Sequence, residues 1–291
     1  MNWPMLRFGN WRFGLGFGWL LLATSLSVWG AQNLRPLRIG LPHVLMDRQY
    51  VLAADWRQYL QNRLHRPVEF VIRRKDSDTT DQLRLQNLDF AWISDYPYVH
   101  FKRRLRLVAV PLYQGRPSFR SYLIVPAADD QTTSLLQLKR MVFAYVDPYS
   151  TGGYLDPRHE LWMAGEDERQ FFSKTFFTWS NRAVVEAVAQ GLAAGGAVDG
   201  FVWDSLAKTH PDLTGQTRVV AQSLEYGAAP VIANRSISAD DFRALQRVLL
   251  GMARDPEGVA LLKRLNLDGF VPGNAKLYAR TAEMMKSIGE E

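Results

Sequence analysis

Short apolar runs alternate with segments of helical periodicity along most of this chain, and this alternation limits its fold more than any other feature. Leu37–Leu41 and Val68–Ile72 read as buried strands, and Tyr50–Leu64 between them carries apolar residues at helical spacing. A helical segment and the short apolar run Asp89–Ile93 then repeat the order. Repeated strand–helix–strand order is typical of an α/β fold with a largely parallel sheet.

A second unit with similar alternation begins near Ala127. The pattern predicts a buried strand at Met141–Val146, an amphipathic helix at Arg182–Gln190 and another strand at Ala197–Trp203. The tail from 239 to 288 reads as helical, with breaks at its prolines. The 291 residues suit one large domain or two lobes of roughly 100–150 residues each.

The first 30 residues have the composition of a secretory signal peptide. Arg7 and Arg12 precede an uncharged apolar run, and small residues follow it up to Gly30 and Ala31. We expect cleavage after Gly30, which places the rest of the chain in the periplasm. The alternative is an uncleaved anchor, since an apolar run of about 16–18 residues is marginal for crossing a membrane. A lipid anchor is excluded because the chain has no cysteine.

Composition excludes several classes of protein and site. The absence of cysteine rules out disulfide scaffolds, iron–sulfur clusters, Cys-ligated zinc and cysteine nucleophiles. The 35 Lys and Arg residues exceed the 29 Asp and Glu residues by six, and they are spread along the chain. A nucleic-acid-binding protein usually concentrates such charge on one stripe, so we expect no nucleic-acid partner.

The sequence also lacks the common patterns of catalytic and metal sites. None of the five histidines is spaced as a metal ligand from another, and no GxSxG segment occurs. We therefore expect no catalytic residue, no metal ion and no cofactor.

The most informative loop is DPYSTGGYLDP, at Asp147–Pro157. It follows a predicted buried strand, and a helix is expected to begin near Tyr154. A helix N-terminus leaves N–H groups without partners and carries partial positive charge, and glycine lets a ligand approach the backbone. These features favour a site for a tetrahedral oxyanion, although Ser150 and Thr151 also suit an ordinary helix cap. The sequence leaves both interpretations open.

Five segments resemble, in the same order, segments of the periplasmic substrate-binding components of phosphate, phosphite and phosphonate ABC transporters. They are PLYQGRPSFRSYLIV, VDPYSTGGYLDP, WSNRAVVEAVAQG, AVDGFVWDSL and DPEGVALLKRLNLDGFVP. The second is the most specific, because it is similar to the family loop G-D-P-x-S-T-S-G-[YF]-L-x-P. The resemblance extends over about residues 37–285.

This resemblance implies a type II periplasmic-binding-protein fold, in which two α/β lobes are joined by two crossing strands and close on a ligand. Lobe 1 would comprise residues 35–125 plus 225–291, and lobe 2 residues 126–224. The crossings would lie near Val125–Ala128 and Val219–Tyr226. The resemblance also implies an ABC transporter permease as partner. We expect a monomer, because closure requires free lobes.

The family's ligand-binding residues are only partly present. Ser150 and Thr151 match the first two hydroxyls of the family loop, whereas Gly152 stands where the third is usually Ser. Gly152 and Gly153 still offer backbone N–H groups. Asn181 occupies the position of a family His, and its amide can donate to an oxyanion.

The acids of aminophosphonate-binding members have been replaced. Phe201 occupies one such position, and Ala229 stands where an acid is expected just before Pro230. Asp199 lies close by and is the candidate to take over this role. Because an unpaired buried ammonium is costly, the sequence disfavours 2-aminoethylphosphonate as ligand.

Lobe 1 departs from the family as well. Asp76 and Ile93 stand where the family often has Tyr. Ser94 and Tyr96 follow a predicted strand at the sheet edge where open α/β folds bind ligands. Asp76 and Asp95 would repel an anion if they faced the cleft. Arg120 is the candidate to offset them, because its guanidinium fork suits an oxyanion.

Three functions are compatible with these observations. The first is a periplasmic solute-binding protein that delivers a small tetrahedral oxyanion or phosphonate to an ABC transporter. The second is a periplasmic sensor of the same fold that partners a membrane histidine kinase. The third is an enzyme on this fold, such as those of the menaquinone pathway, and the predicted signal peptide argues against it because those enzymes are cytosolic.

Overall fold

We describe a computed structural model of the chain, comprising residues 35–42, 50–73 and 75–290. The predicted signal peptide, residues 1–30, lies outside the described residues. The chain from Arg35 onward forms one unit. Within the described part, no helix combines the length and the apolar composition needed to cross a membrane.

Two larger sheets organise this unit, and a small two-stranded ribbon accompanies them. The strands are β1 (Leu37–Leu41), β2 (Val68–Ile72), β3 (Phe90–Trp92), β4 (Leu105–Leu112), β5 (Ser118–Phe119), β6 (Ser121–Pro126), β7 (Val142–Tyr145), β8 (Lys174–Phe177), β9 (Gly195–Asp199), β10 (Thr217–Gln222), β11 (Tyr226–Gly227), β12 (Val231–Asn234) and β13 (Gly269–Pro272).

The first sheet has six strands in the order β13-β4-β12-β3-β1-β2. β1 pairs in parallel with β2 and β3, whereas β12 and β13 run antiparallel to their neighbours. The second sheet has five strands in the order β10-β6-β9-β7-β8, with β7 parallel to β8 and β9. The predicted α/β organisation is confirmed.

Helices connect these strands. They are α1 (Tyr50–Leu64), α2 (Asp76–Arg84), α3 (Asp95–Phe101), α4 (Asp156–Met163), α5 (Glu168–Phe171), α6 (Asn181–Ala189), α7 (Gly200–Thr209), α8 (Pro211–Thr214), α9 (Ala239–Gly251), α10 (Pro256–Arg264) and α11 (Ala279–Ser287). A π-helical turn, Thr151–Leu155, leads directly into α4. Buried aromatic residues anchor the two sheets, with Trp92 in the first and Phe143 in the second.

The two connections between the sheets lie side by side as the ribbon of β5 and β11, where Tyr226 pairs with Phe119. β6 pairs with β9 and β10 in the second sheet. Residues 121–125 therefore belong with the second sheet, and the first crossing lies about five residues before the predicted Val125–Ala128. The predicted position is wrong because Pro126 ends β6, which belongs to the second sheet. The prediction treats Pro126 as following the last strand of the first sheet.

The prediction of one strand over Ala197–Trp203 is also wrong in its second half. The strand ends at Asp199, and α7 begins at Gly200. Asp199 stops the strand because its carboxylate accepts a hydrogen bond from the N–H of Phe201 at 3.0 Å, which is the geometry of an N-cap.

Candidate functional site

A cavity of about 60 Å³ lies between the two sheets, next to the ribbon. It has room for only a few atoms. Its walls come from both sheets and comprise Pro42, Trp92, Ile93, Ser94, Phe119, Tyr149, Ser150, Asn181, Asp199, Phe201, Val202 and Ala229. Polar and apolar side chains are both well represented, so the cavity suits a small ligand with one polar and one apolar part.

The loop after β7 gives the cavity its first polar group. The Oγ of Ser150 accepts a hydrogen bond from the N–H of Gly153 at 3.0 Å, so Ser150 caps the π-helical turn. The Asp147 carboxylate steadies the loop by accepting from the N–H of Tyr149 at 2.8 Å. A cap uses a lone pair of the serine oxygen and leaves its O–H free to donate. The cap and a ligand contact are therefore compatible at Ser150.

Thr151 lies directly behind this polar end and is buried. Its N–H donates to the Oγ of Ser94 at 3.2 Å, and the Ser94 hydroxyl lies 3.5 Å from the Thr151 Oγ1. Ser94 follows β3 in the first sheet and Thr151 follows β7 in the second. The contact therefore joins the two sides of the cleft, and the cleft is closed in this structure.

Asn181 supplies an amide at the start of α6. Its Oδ1 accepts a hydrogen bond from the N–H of Asp199 at 2.8 Å. This bond fixes the orientation of the amide, because its oxygen is held by the backbone at the end of β9. Asn181 lines the cavity, and with its oxygen engaged the Nδ2 group is the part of the amide that can donate to a ligand there.

Asp199 lines the cavity and is half-buried, and the surrounding protein reduces the hydration of its carboxylate. Burial, together with the nearby charge of Asp95, raises the pKa of Asp199 to about 7. A carboxyl with this pKa is largely neutral at slightly acid pH, and repels an anion less than an ordinary aspartate does.

Asp95 is buried beside the cleft and does not line the cavity. It accepts a hydrogen bond from Thr281, and burial raises its pKa to about 6. Asp95 therefore does not contact an anion in the cavity, and its raised pKa weakens the expected repulsion at mildly acid pH. The side chain of Asp76 lies outside the described part of the structure.

Two residues predicted for the site lie elsewhere. Tyr96 stacks on Tyr149 at 5.8 Å and donates its hydroxyl to Glu290, away from the cavity. Arg120 donates to the Glu225 carboxylate at 3.1 Å and to the Ser223 carbonyl at 2.9 Å. The guanidinium points toward these partners because β6 and the segment before β11 run side by side, so its charge is already compensated.

The two loop glycines lie at the back of the site. The carbonyl of Gly152 accepts a hydrogen bond from the Ser121 hydroxyl at 2.6 Å, and the N–H of Gly153 donates to Ser150. As the second residue of a helical turn, Gly152 has an N–H of the kind that a helix leaves without an internal acceptor.

Sequence reasoning missed most of the apolar wall. Trp92, Phe119 and Val202 line the cavity, and the Trp92 indole N–H donates at 2.8 Å to the carbonyl of Ala229, a position that the family resemblance had already indicated. No local signal distinguishes these residues from ordinary core residues. Among the residues that the structure describes, no cluster of His, Asp and Glu is arranged to hold a metal ion.

Solved structures with this architecture are known. A binding protein component of a phosphonate ABC transporter from Pseudomonas aeruginosa superposes with a TM-score of 0.79 at 18% identity, covering 86% of this chain and 85% of that one. PhnD1 from Prochlorococcus marinus, solved with methylphosphonate, gives a TM-score of 0.77 at 20% identity over 88% and 98% of the two chains. These similarities confirm the predicted type II periplasmic-binding-protein fold.

More distant binding proteins share the fold. The periplasmic aliphatic sulphonate binding protein SsuA from Escherichia coli matches with a TM-score of 0.60 at 18% identity, over 87% of this chain and 92% of that one. Residues 41–278 match the family described as "ABC transporter, phosphonate, periplasmic substrate-binding protein". The match covers most of the chain, and the resemblance found in the sequence is confirmed. The chain belongs to the family of periplasmic substrate-binding proteins of phosphonate ABC transporters.

Proposed function

We propose that this protein binds a small phosphonate with a short uncharged substituent in the cavity between its sheets. The main support is that the cavity has both hydrogen-bond donors and apolar rings in its walls. Neutral donors such as Ser150 and Asn181 lie in the same small space as the aromatic rings of Trp92, Phe119 and Phe201. Phosphate has no apolar part to place against these rings, whereas an alkylphosphonate has one.

The polar groups suit a phosphonate anion. The Ser150 hydroxyl and the Asn181 amide are both donors, and hydrogen bonds to an ionised acceptor are stronger than neutral ones. Among the described residues, no Lys or Arg lines the cavity. Binding therefore relies on neutral donors and on the partial positive charge of the helical turn before α4.

The apolar groups limit the substituent. The Phe201 ring stacks on Phe119 with centroids 4.9 Å apart and planes inclined by 5°. This pair leaves no carboxylate at position 201 for an ammonium group. Asp199 is the remaining acid, and its carboxylate is held by the N–H of Phe201. Methylphosphonate, the ligand in the PhnD1 structure, fits these requirements better than 2-aminoethylphosphonate.

Isothermal titration calorimetry on residues 31–291 tests this proposal. The panel contains methylphosphonate, phosphite, phosphate, sulfate and 2-aminoethylphosphonate. We expect methylphosphonate to bind most tightly, and 2-aminoethylphosphonate to bind at least tenfold more weakly, since an unpaired ammonium loses more than 1.4 kcal/mol. Tighter binding of phosphate or of the aminophosphonate contradicts the proposed substituent. Failure of the whole panel contradicts phosphonate binding itself.

The physiological setting follows from the family. The family description is of a transport component, so we propose an ABC transporter permease as partner in preference to a sensor kinase. We further propose that residues 1–30 direct export and are removed, and that the protein is a monomer. N-terminal sequencing of the exported protein and light scattering after size-exclusion chromatography test these two points.

A further inference from the structure

The backbone of Gly152 and the phenol of Tyr226 approach each other more closely than a side chain at position 152 would allow. A Cβ atom added at Gly152 would lie 2.3 Å from the Tyr226 Oη, well inside any real contact. The next nearest atoms are the Asp199 Cα at 3.3 Å and the Asp199 N at 3.5 Å. Only the phenol oxygen therefore excludes a side chain at this position.

The backbone conformation does not itself require glycine here. Gly152 is absent from the residues with positive φ, although five other glycines in the described part of the chain have it. Glycine is needed at position 152 for space, and Tyr226 occupies that space. The phenol hydroxyl thus lies where the side chain of a third loop hydroxyl residue would begin.

Tyr226 is buried in β11, on the ribbon between the sheets. Its hydroxyl donates a long hydrogen bond of 3.4 Å to the Asp199 Oδ2. Burial and the charges of Asp199, Asp95 and Asp156 raise the pKa of Tyr226 well above its ordinary value. The phenol therefore stays protonated and acts as a donor.

Asp199, which accepts the Tyr226 hydrogen bond, also contacts residues at both the polar and the apolar end of the cavity. Its backbone N–H holds the Asn181 amide at 2.8 Å, which directs the Nδ2 group at the ligand. Its Oδ1 holds the first turn of α7 through the N–H of Phe201, and Phe201 forms the apolar wall. A shift of Asp199 changes the position of both groups.

We propose that Tyr226 is a positioning residue for ligand binding, that its phenol takes the place of the side chain missing at Gly152, and that the two residues form a coupled pair. The inference rests on the proposed function, because it concerns the same cavity. It assigns a role to a residue that does not itself line that cavity.

The test is a double-mutant cycle with Tyr226→Phe, Gly152→Ser and the double variant, measured by calorimetry with methylphosphonate. Tyr226→Phe removes one long hydrogen bond, so we expect affinity to fall by about two- to tenfold. Gly152→Ser places Cβ against the phenol oxygen, and overpacking of this kind weakens binding by roughly tenfold or more. In the double variant the nearest atom to Cβ is 3.3 Å away, and we expect affinity within about threefold of Tyr226→Phe.

A matched control is Tyr59→Phe. Tyr59 is also a buried tyrosine whose hydroxyl contacts an aspartate, Asp255, but it lies on α1 and does not line the cavity. Its affinity for methylphosphonate should equal that of the unmodified protein. A loss as large as that of Tyr226→Phe would contradict a specific role for Tyr226.

The pH dependence of affinity separates positioning from mere packing. The Tyr226 hydrogen bond lowers the pKa of Asp199, opposing the rise that burial causes. Without the phenol, the Asp199 pKa rises further, and the midpoint of the affinity profile should move to higher pH. A purely structural defect would lower affinity equally at every pH, and that result overturns the proposal.

Thermal unfolding without ligand tests the coupling of Gly152 and Tyr226 even if the proposed function is wrong. If the unmodified protein binds no phosphonate, the proposed function fails, and the pair is then judged on stability alone. Gly152→Ser should lower the melting temperature, and adding Tyr226→Phe should restore it. A double variant that is no better than Gly152→Ser in either measurement overturns the coupling.

Discussion

The two sheets contribute different chemistry to the same cavity. The five-stranded sheet supplies most donors, with Ser150 after β7 and Asn181 at the start of α6. The six-stranded sheet supplies mainly apolar surface, with Trp92 at the end of β3 and Ala229 just before β12. Ser94 is the exception, since its hydroxyl lies on the first-sheet side and contacts Thr151.

This difference suggests an order of events in binding. A hydrated anion loses water at a cost, which donors must offset before apolar surface is useful. We therefore expect the oxyanion to bind first to the five-stranded side, and closure then to bring the rings of the other side onto its substituent. Closure of two lobes about a ribbon is a recognised domain motion. Changes to the donors should accordingly lower affinity, and changes to the apolar wall should alter specificity.

The largest effect should come from removing both loop hydroxyls. We expect Ser150→Ala combined with Thr151→Ala to weaken methylphosphonate binding by about 10–10²-fold, since the Ser150 hydrogen bond to a charged group contributes roughly 1.5–3 kcal/mol and Thr151, which does not line the cavity, adds no direct contact. Calorimetry measures the affinity, and circular dichroism tests whether the fold persists. Unchanged affinity would show that the donor side has been wrongly assigned.

Ser150 also caps a helical turn, so this experiment needs a control for the lost cap. Ser238→Ala removes the N-cap of α9, where the Ser238 Oγ accepts from the N–H of Asp241 at 3.0 Å. We expect it to cost about 1 kcal/mol of folding stability and to leave affinity unchanged.

The apolar wall, to which Phe201 contributes from the five-stranded side, should control which substituent is accepted. Phe201→Ala removes the ring that stacks on Phe119 and widens the cavity. We expect weaker binding of methylphosphonate and a relative gain for propylphosphonate, measured as the ratio of their dissociation constants. The variant should also lose about 3–5 kcal/mol of stability. An unchanged ratio would mean that Phe201 does not face the substituent.

Phe172→Ala provides the comparison. Phe172 is buried in the second sheet's core and stacks on Phe143 at 4.5 Å. It should lose a similar amount of stability without any change in the ratio. Together the two variants separate specificity from core packing.

Local patterns predicted the parts of the molecule that depend on neighbouring residues. The helix Tyr50–Leu64 and the strands Leu37–Leu41 and Val68–Ile72 have the predicted bounds, because apolar periodicity reports which face is buried. The loop Ser150–Gly153 was noticed because a strand, two hydroxyls and glycines adjoin in sequence. That this loop lies at a cavity could not be predicted from the loop alone, because the opposite wall of the cavity comes from the other side of the cleft.

Contacts between distant residues were not accessible from one sequence. Arg120 was assigned to the ligand because nothing in the sequence identified Glu225, 105 positions away, as its partner. Gly152 similarly read as a lost hydroxyl, since the approach of Tyr226 depends on the pairing of β11 with β5. The end of β9 was missed because Asp199 acts as a cap inside an apolar run.

The pH dependence of folding stability tests whether Asp199, the acid on the donor side, keeps its proton in the folded protein. Burial raises the pKa of Asp199 to about 7, above its ordinary value. The folded protein therefore holds this proton more tightly than the unfolded chain, and the stability gained at low pH is lost as pH rises through about 7. Asn mimics the neutral acid and keeps the cap, so Asp199→Asn should gain stability relative to the unmodified protein between about pH 5 and 8. Melting curves across this range measure the difference, and a constant difference would mean that Asp199 is already ionised when folded.

The smallest effect should come from Arg120, the one cation that the sequence assigned to the ligand. Its guanidinium and the Glu225 carboxylate are both partly exposed, and pairs of this kind contribute about 0–1 kcal/mol. Arg120→Ala should therefore change methylphosphonate affinity less than about twofold, as should Arg116→Ala, which removes the other arginine paired with Glu225. A tenfold loss confined to Arg120→Ala would show that this guanidinium leaves Glu225 and reaches the ligand, and the assignment of all donors to neutral groups would then be wrong.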